Sequence, residues 1–237
     1  MEFTTKLVKG TLLKRYKRFL ADVELANGDV ITAHCANPGA MLGLKEPGLT
    51  VWLSPSDNPK RKLKYSWELV ELDQAQTLVG INTAHPNKLV EEAITSGTIK
   101  ELQGYQSLKR EVKYGQNSRI DLLLSEPKNK PEQLCYVEVK NVHLLRKKGL
   151  AEFPDSVTSR GAKHLNELSD MVKAGHRAVM VYVIQRGDAT RFCLAEDIDP
   201  HYAQSFEDAQ KNGVEAIAYK CQLSPNEIVI NKKISIK

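Results

Sequence analysis

The sequence lacks a long hydrophobic run. Its longest uninterrupted apolar stretch, residues 178–184, has seven residues, whereas a membrane-spanning helix needs about 20. The first 20 residues contain six lysines and arginines, so they do not form the apolar segment of a secretory signal. We therefore expect a cytoplasmic protein with no membrane segment.

The sequence is also poor in cysteine and lacks several catalytic motifs. The four cysteines include no CxxC pair, which argues against a zinc ribbon or a dithiol redox site. GxxxxGK[ST], GxGxxG and HExxH are absent as well, and with them the usual signatures of nucleotide-phosphate loops, dinucleotide domains and zinc proteases. His34 and Cys35 are adjacent in a predicted strand, so their side chains point to opposite faces and do not form a nucleophile and base.

Charge is present in both signs, but the basic residues are clustered. The 237 residues include 34 Lys and Arg against 29 Asp and Glu, for a net charge of +5. Segments 14–18 and 60–64 each carry four basic residues, and segment 146–148 carries three. Any one cluster fits a solvated surface turn, but three together favour a polyanionic partner. We therefore predict that the protein binds nucleic acid.

The hydrophobic pattern divides the chain into two parts. Residues 1–85 predict short strands, among them a hairpin closed by Asn27 and Gly28, and these suggest a small β-barrel. From residue 86 the pattern changes to helix, three strands, helix, strand and helix, which predicts an α/β domain over 86–237. In this second part, Asn87 is predicted to cap the first helix, the long helix covers 155–174, and the last helix covers 205–213.

An acidic pair lies on two neighbouring predicted strands of the second part. Strand alternation puts Tyr136, Glu138 and Lys140 on one face, and Asp121 lies on the preceding strand. Two carboxylates can hold Mg²⁺ through oxygen, and a neighbouring lysine can orient water or stabilise charge on a phosphate. The pattern predicts a metal-dependent phosphodiesterase site, and an ordinary salt bridge at a strand edge is the alternative.

Other charged residues could complete such a site. Glu91 and Glu92 lie on the first predicted helix, and Glu111 could face Asp121 across a hairpin in one register, so three candidates for an additional acid remain. Arg160 and Lys163 lie early in the long helix, where the helix dipole favours anions.

Five segments resemble the bacterial sugar fermentation stimulation protein family in their order along the chain. They are RYKRFLADV at 15–23, HCANPGAM at 34–41, SRID at 118–121, VEVK at 137–140, and FPD at 153–155 continuing to RGAKHL at 160–165. The family resembles nucleases of the PD-(D/E)xK type, and this sequence departs from their signature at Ile120, where the signature has Pro. It also departs from the usual family pattern at Pro38, where Thr is common.

The resemblance implies an α+β, two-domain fold. An N-terminal OB-like β-barrel over 1–85 would precede an α/β PD-(D/E)xK nuclease-like domain over 86–237, with a central mixed sheet flanked by helices. It implies DNA binding without marked sequence preference, and the family's name links it to regulation of sugar use. The alternatives are an active Mg²⁺- or Mn²⁺-dependent deoxyribonuclease and a sequence-specific transcription regulator.

The resemblance also assigns residues. The nuclease motif falls on Asp121, Glu138 and Lys140, and its helical acid on Glu92. Asp121, Glu138 and Glu92 would bind Mg²⁺ or Mn²⁺. We expect DNA contacts from basic residues of both domains: Arg15, Lys17, Arg18, Lys60, Arg61, Lys62, Arg119, Arg160 and Lys163.

Overall fold

The first part of the chain is a closed five-stranded barrel, as predicted. The computed structural model describes residues 1–72, 77–115, 117–127 and 132–237. The strands are β1 (Val8–Tyr16), β2 (Leu20–Leu25), β3 (Val30–Cys35), β4 (Thr50–Pro55) and β5 (Tyr65–Leu72). They pair in the order β3-β2-β1-β4-β5, and a parallel contact between β3 and β5 closes the barrel. A sixth strand, β6 (Thr77–Gly80), extends the sheet beyond β5. Alternate residues such as Leu12, Val23 and Leu53 fill the interior.

The predicted hairpin is present between β2 and β3. Gly28 has a φ of +86°, a conformation that glycine adopts without a steric penalty. The Leu25 amide donates to Asp29 and the Gly28 amide donates to Leu25. The Asn-Gly signal therefore identified a real turn.

The second part is built on a six-stranded mixed sheet. In chain order its strands are β7 (Tyr105–Tyr114), β8 (Ser118–Pro127), β9 (Cys135–Val142), β12 (Arg177–Ile184), β14 (Glu215–Leu223) and β15 (Ile228–Ile234). The spatial order is β15-β14-β12-β9-β8-β7, with β9, β12 and β14 parallel. A smaller sheet contains β10 (Leu144–Lys147), β11 (Leu150–Phe153) and β13 (Arg191–Leu194).

Helices cover both faces of the large sheet. Helix α1 (Pro86–Thr95) packs on one face, where it shares a core with Val137 and Val139. Helices α2 (Ser159–Lys173) and α3 (Pro200–Lys211) pack on the other face, in the core that contains Tyr136. The predicted alternation along β9 is confirmed by these two cores. Among the described residues, no helix is long and apolar enough to cross a membrane.

Several predicted boundaries were wrong for local reasons. Asn87 does not cap α1, because His85 occupies the cap position and Pro86 begins the helix. Helix α2 begins at Ser159, where the Thr158 hydroxyl accepts from the Gly161 amide at 3.1 Å. Helix α3 begins five residues earlier than predicted, at Pro200. Strands β10, β11 and β13 have four residues each, too few for alternation to reveal them.

A loop of the barrel joins the two parts close to α2. Asp155, between β11 and α2, accepts a hydrogen bond from the Met41 amide at 3.1 Å and lies 3.3 Å from the His143 ring. A Cβ on Gly39 would be 2.6 Å from the same carboxylate, so only glycine allows this close approach. The first residues of the chain also pack on the second part, since Met1 and Phe3 exchange backbone hydrogen bonds with 226–228.

Candidate functional site

The acidic pair lies where strands β8 and β9 separate. Within the described residues the two strands pair at Leu122 with Val137 and at the next two positions, and they diverge toward Asp121 and Glu138. There the Val139 amide donates to Asp121 Oδ2 at 2.7 Å instead of to a strand carbonyl. The side chain of Asp121 therefore occupies the fork that the separating backbones leave open.

Glu138 is fixed on one side and unpartnered on the other. Its Oε1 accepts from Lys140 Nζ at 2.7 Å and also contacts His164 Nδ1. Glu138 is only 2% exposed. Its Oε2 is buried and has no hydrogen-bond partner among the described residues. A buried carboxylate oxygen without a partner costs free energy, so this atom points to a missing ligand.

The electrostatics of the pair are unequal. Burial, followed by the charge of Glu138, raises the pKa of Asp121 to about 6. Burial also acts to raise the pKa of Glu138, but the Lys140 ammonium and the His164 ring outweigh it and lower that pKa. Asp121 therefore carries the cost of placing two carboxylates together.

The helical acid that the resemblance assigned, Glu92, pairs with the amino terminus of the chain. Glu92 is 43% exposed and lies 2.6 Å from the Met1 amino group, on the part of α1 that faces the amino terminus. Glu91 pairs instead with Arg110. Neither residue has a described contact with Asp121, and the placement of Glu92 in the site stays a prediction.

Glu111 is linked to Asp121 through a shared contact with Asn87. Asn87 Nδ2 donates to Asp121 Oδ1 at 2.9 Å and lies 3.4 Å from Glu111 Oε1. Glu111 has a φ of +54°, but the pairing of β7 with β8 keeps one register across it, since Arg110 faces Leu122 and Val112 faces Ile120. Glu111 therefore lies opposite Asp121, which is the hairpin register that the sequence analysis left open.

Asn87 and His164 are the contacts that sequence reasoning missed. Asn87 was predicted to cap a helix, and His164 was not among the predicted site residues. The spacing of Arg160 and His164, four residues apart on one helix, was the available signal: Arg160 Nε donates to His164 Nε2 at 3.3 Å while Nδ1 of the same ring contacts Glu138.

The cluster can accept a divalent cation through oxygen. Asp121 presents a half-buried carboxylate and Glu138 a buried one with the unpartnered oxygen, and a hard cation would relieve their repulsion. Across the part of the chain that the structure describes, no three His, Cys, Asp or Glu side chains already form a metal-binding group. Further ligands would therefore be water, backbone carbonyls, a phosphate or Glu111.

The basic residues near α2 differ in their surroundings. Arg160 is exposed and reaches the cluster through His164. Lys163 Nζ lies 3.5 Å from Glu167, the pairing that its i,i+4 spacing allows. Arg119 is exposed on β8, two residues before Asp121.

The basic residues of the barrel include one whose role is structural. The Arg15 guanidinium donates to the carbonyls of Arg18, Asn37 and Gly39 at 2.8 to 3.1 Å, so it holds a turn and a loop together. Lys17 and Arg18 are exposed in that turn.

The basic segment 60–64 lies in the loop between β4 and β5. Lys60 and Lys62 are exposed, while Arg61 donates to Ser66 at 2.5 Å. No described contact links this loop to the acidic cluster.

Comparison with known proteins identifies relatives along the whole chain. A family model described as "SfsA N-terminal OB domain" matches residues 13–81, and one described as "Sugar fermentation stimulation protein RE domain" matches residues 84–227. The chain is 58% identical to a sugar fermentation stimulation protein homolog of Maricaulis maris over 237 residues, which is 100% of this chain and 99% of that protein. It is also 58% identical to the homolog of Rhodospirillum centenum over 236 residues, with the same coverage.

A solved structure has the same fold. It is described as the structure of Pyrococcus furiosus SfsA in complex with Ca²⁺, and it superimposes with a TM-score of 0.88 at 26% identity, covering 100% of this chain and 98% of that one. The resemblance first inferred from five short segments therefore extends to both domains.

Proposed function

The chain belongs to the sugar fermentation stimulation protein family, and from that premise we propose that it binds DNA without marked sequence preference and holds a divalent cation in a nuclease-type site. The observation that carries the proposal is the fork between β8 and β9: the Val139 amide holds Asp121, and the neighbouring Glu138, beside Lys140, keeps a buried and unpartnered Oε2. The Glu138 charge also contributes to the raised pKa of Asp121. Mg²⁺ and Mn²⁺ suit such oxygen ligands, and the related Pyrococcus furiosus protein was solved with Ca²⁺.

The residues around the cation have separable tasks. Asp121 and Glu138 would hold the ion, and Glu111 would add an acid at the rim in place of Glu92. His164 and Lys140 hold Oε1 of Glu138, which leaves Oε2 directed to the ion. When bound, the cation would polarise a phosphate oxygen and lower the pKa of water. Lys140 is positioned to stabilise negative charge on that phosphate.

DNA binding rests on exposed basic side chains in both domains. Lys17 and Arg18 on the barrel, with Arg119 and Arg160 near the cluster, are exposed and suit phosphate contacts, which carry no sequence information. The three α-helices of the described residues each bury a face on the large sheet or on each other, which favours backbone contacts over a helix that reads bases. Localisation is a separate part of the proposal. The four free cysteines fit a reducing compartment, so we place the protein in the cytoplasm, where bacterial DNA lies.

The decisive experiment separates binding, cation affinity and hydrolysis. Labelled single-stranded, duplex and branched DNA would be titrated in EDTA at several salt concentrations, and then incubated with Mg²⁺ or Mn²⁺. We expect affinity that falls steeply with salt and varies little among duplex sequences. Selection from random DNA should give no enriched motif, and an enriched motif would favour the sequence-specific regulator.

Variants assign the chemistry to the cluster. Asp121→Asn and Glu138→Gln should each abolish Mn²⁺ binding measured by calorimetry, whereas Glu92→Gln, which changes an acid outside the cluster, should leave it intact. Cleavage that requires both Asp121 and Glu138 would establish a nuclease. Cation binding without cleavage would support a non-catalytic site, and unchanged Mn²⁺ affinity in both variants would refute the proposed site.

A further inference from the structure

The turn between β1 and β2 carries an aromatic surface beside free positive charge. Phe19 is a 44% exposed aromatic residue on the barrel. Its ring is stacked on the His34 ring, with an interplanar angle of 22° and a centroid separation of 6.4 Å. Lys17 and Arg18 precede it in the same turn, are exposed, and have no described ion-pair partner among the residues that the structure covers.

The backbone of this turn is unfavourable for the residues it contains. Lys17 has a φ of +45° and Arg18 a φ of +64°, values that cost a non-glycine residue of order 1 kcal/mol or more. Asn and Gly are the residues that favour such a turn. Two consecutive cationic side chains are therefore held in a conformation that their own preferences oppose, which is the pattern expected where side-chain chemistry matters more than turn stability.

A series of contacts leads from this turn to the start of α2, the helix whose His164 contacts Glu138. Arg15 joins the carbonyl of Arg18 to those of Asn37 and Gly39. The same loop reaches Asp155 through the Met41 amide, and α2 begins four residues later.

Exposed apolar side chains mark the same series. Phe19 in the turn, Leu42 in the loop and Val157 before α2 are three of the six exposed large hydrophobic residues of the described chain, and Val157 is 75% exposed. Duplex DNA offers a protein mainly phosphates at its surface, and phosphates give apolar side chains little to contact. Unpaired bases, in contrast, stack on aromatic rings and pack on apolar groups, while lysine and arginine follow the phosphates.

We propose that Phe19, stacked on His34 and flanked by Lys17 and Arg18, binds an unpaired base of a single-stranded nucleic acid whose strand continues along this contact series toward the acidic cluster. The inference rests on the proposed function and deepens it, because it names strands with unpaired bases as the substrate class. The chemistry is shared by single-stranded DNA and RNA, and the test includes both.

The test compares strands by fluorescence anisotropy with the full chain in EDTA, so that cleavage does not intervene. The probes are a 15-nucleotide deoxythymidine strand, a uridine strand of the same length and a 15-base-pair duplex. Phe19→Ala should weaken single-strand binding about 5- to 100-fold, the range for loss of one base–aromatic stack, and should change duplex binding less than about 3-fold. Phe19→Trp should restore single-strand binding, because an indole also stacks on bases. Val229→Ala removes a comparably exposed apolar side chain from β15 and should change neither.

A second variant tests the charges without risking the fold. Lys17→Asn with Arg18→Gly supplies residues suited to the positive φ values, so the melting temperature should stay the same or rise. The log of the single-strand affinity should depend less steeply on the log of the salt concentration. The slope should become less negative by about 1.4, because two phosphate contacts at about 0.7 each are lost.

Each result has a distinct meaning. If the wild-type chain binds no probe at low salt, the proposed function fails. If it binds the duplex but not the strands, or if Phe19→Ala weakens all probes equally or none, this inference alone is overturned. A uridine strand that binds far more tightly than the deoxythymidine strand would show that Phe19 and the flanking Lys17 and Arg18 favour RNA.

Discussion

Neutralising Asp121 should stabilise the protein while removing the proposed cation site. Burial and the Glu138 charge raise the pKa of Asp121 from 3.8 to about 6. A shift of about 2 pH units corresponds to about 3 kcal/mol at 1.36 kcal/mol per unit. The ionised carboxylate therefore costs the folded chain about 3 kcal/mol at pH 8 in the absence of a cation.

Asp121→Asn removes this charge at nearly constant shape. One oxygen remains to accept from the Val139 amide, and the new amide nitrogen can donate to Asn87 after the Asn87 side chain rotates by half a turn. Imperfect geometry will lose part of the gain. We expect the variant to be about 1 to 3 kcal/mol more stable than wild type in EDTA at pH 8.

The stability difference should depend on pH in a defined direction. Below about pH 4, Asp121 is protonated in both the folded and the unfolded chain, so its charge costs nothing. Between about pH 4 and 6 the unfolded chain ionises while the folded chain keeps the proton, and the cost grows. Above about pH 6 both forms are ionised and the cost is constant. Asp121→Asn should therefore match wild type near pH 4 and gain its full advantage by about pH 7.

Urea titration followed by circular dichroism measures this difference, and a cation should reverse it. A cation at 100 times its dissociation constant would stabilise wild type by about 2.7 kcal/mol and would not stabilise the variant. The order of stability in EDTA should thus shrink or invert in Mn²⁺. Asp57→Asn, in the exposed loop after β4, is the matched control and should change stability by less than about 0.5 kcal/mol. If Asp121→Asn is less stable than wild type at pH 8 in EDTA, the argument from carboxylate repulsion is wrong.

Three further changes test the arrangement around the cluster. Glu111→Gln should weaken Mn²⁺ binding several-fold by calorimetry, and Glu92→Gln should not; the opposite order would support the assignment of Glu92 that the resemblance implied. Arg15→Ala should destabilise the chain by about 2 kcal/mol or more through the loss of three charged hydrogen bonds. Arg18→Ala should leave the melting temperature unchanged and weaken DNA binding. Equal melting temperatures of the two variants would show that Arg15 is not structural. Gly39→Ala forces a methyl group to within 2.6 Å of a carboxylate oxygen and should cost about 1 to 3 kcal/mol, and an unchanged melting temperature would show that the loop moves freely.

Local sequence chemistry determined the features that depend on neighbours in the chain. The Asn27-Gly28 turn, the alternation that separates Tyr136 and Glu138 from Val137, and the position of α2 followed from backbone preferences and from burial on one face. Motif order along the chain was sufficient to identify the family and both of its domains.

The composition of the site was decided by tertiary structure. Glu92 and Glu111 could not be separated by sequence, because the answer depends on how α1 is oriented on the sheet and on the register of β7 with β8. Arg15 looked like an exposed cation until the fold brought three backbone carbonyls to its guanidinium. The unpartnered oxygen of Glu138 exists only because β8 and β9 separate where the Lys140 and His164 side chains converge. Each of these features depends on contacts between residues far apart in the chain, and no local pattern encodes them.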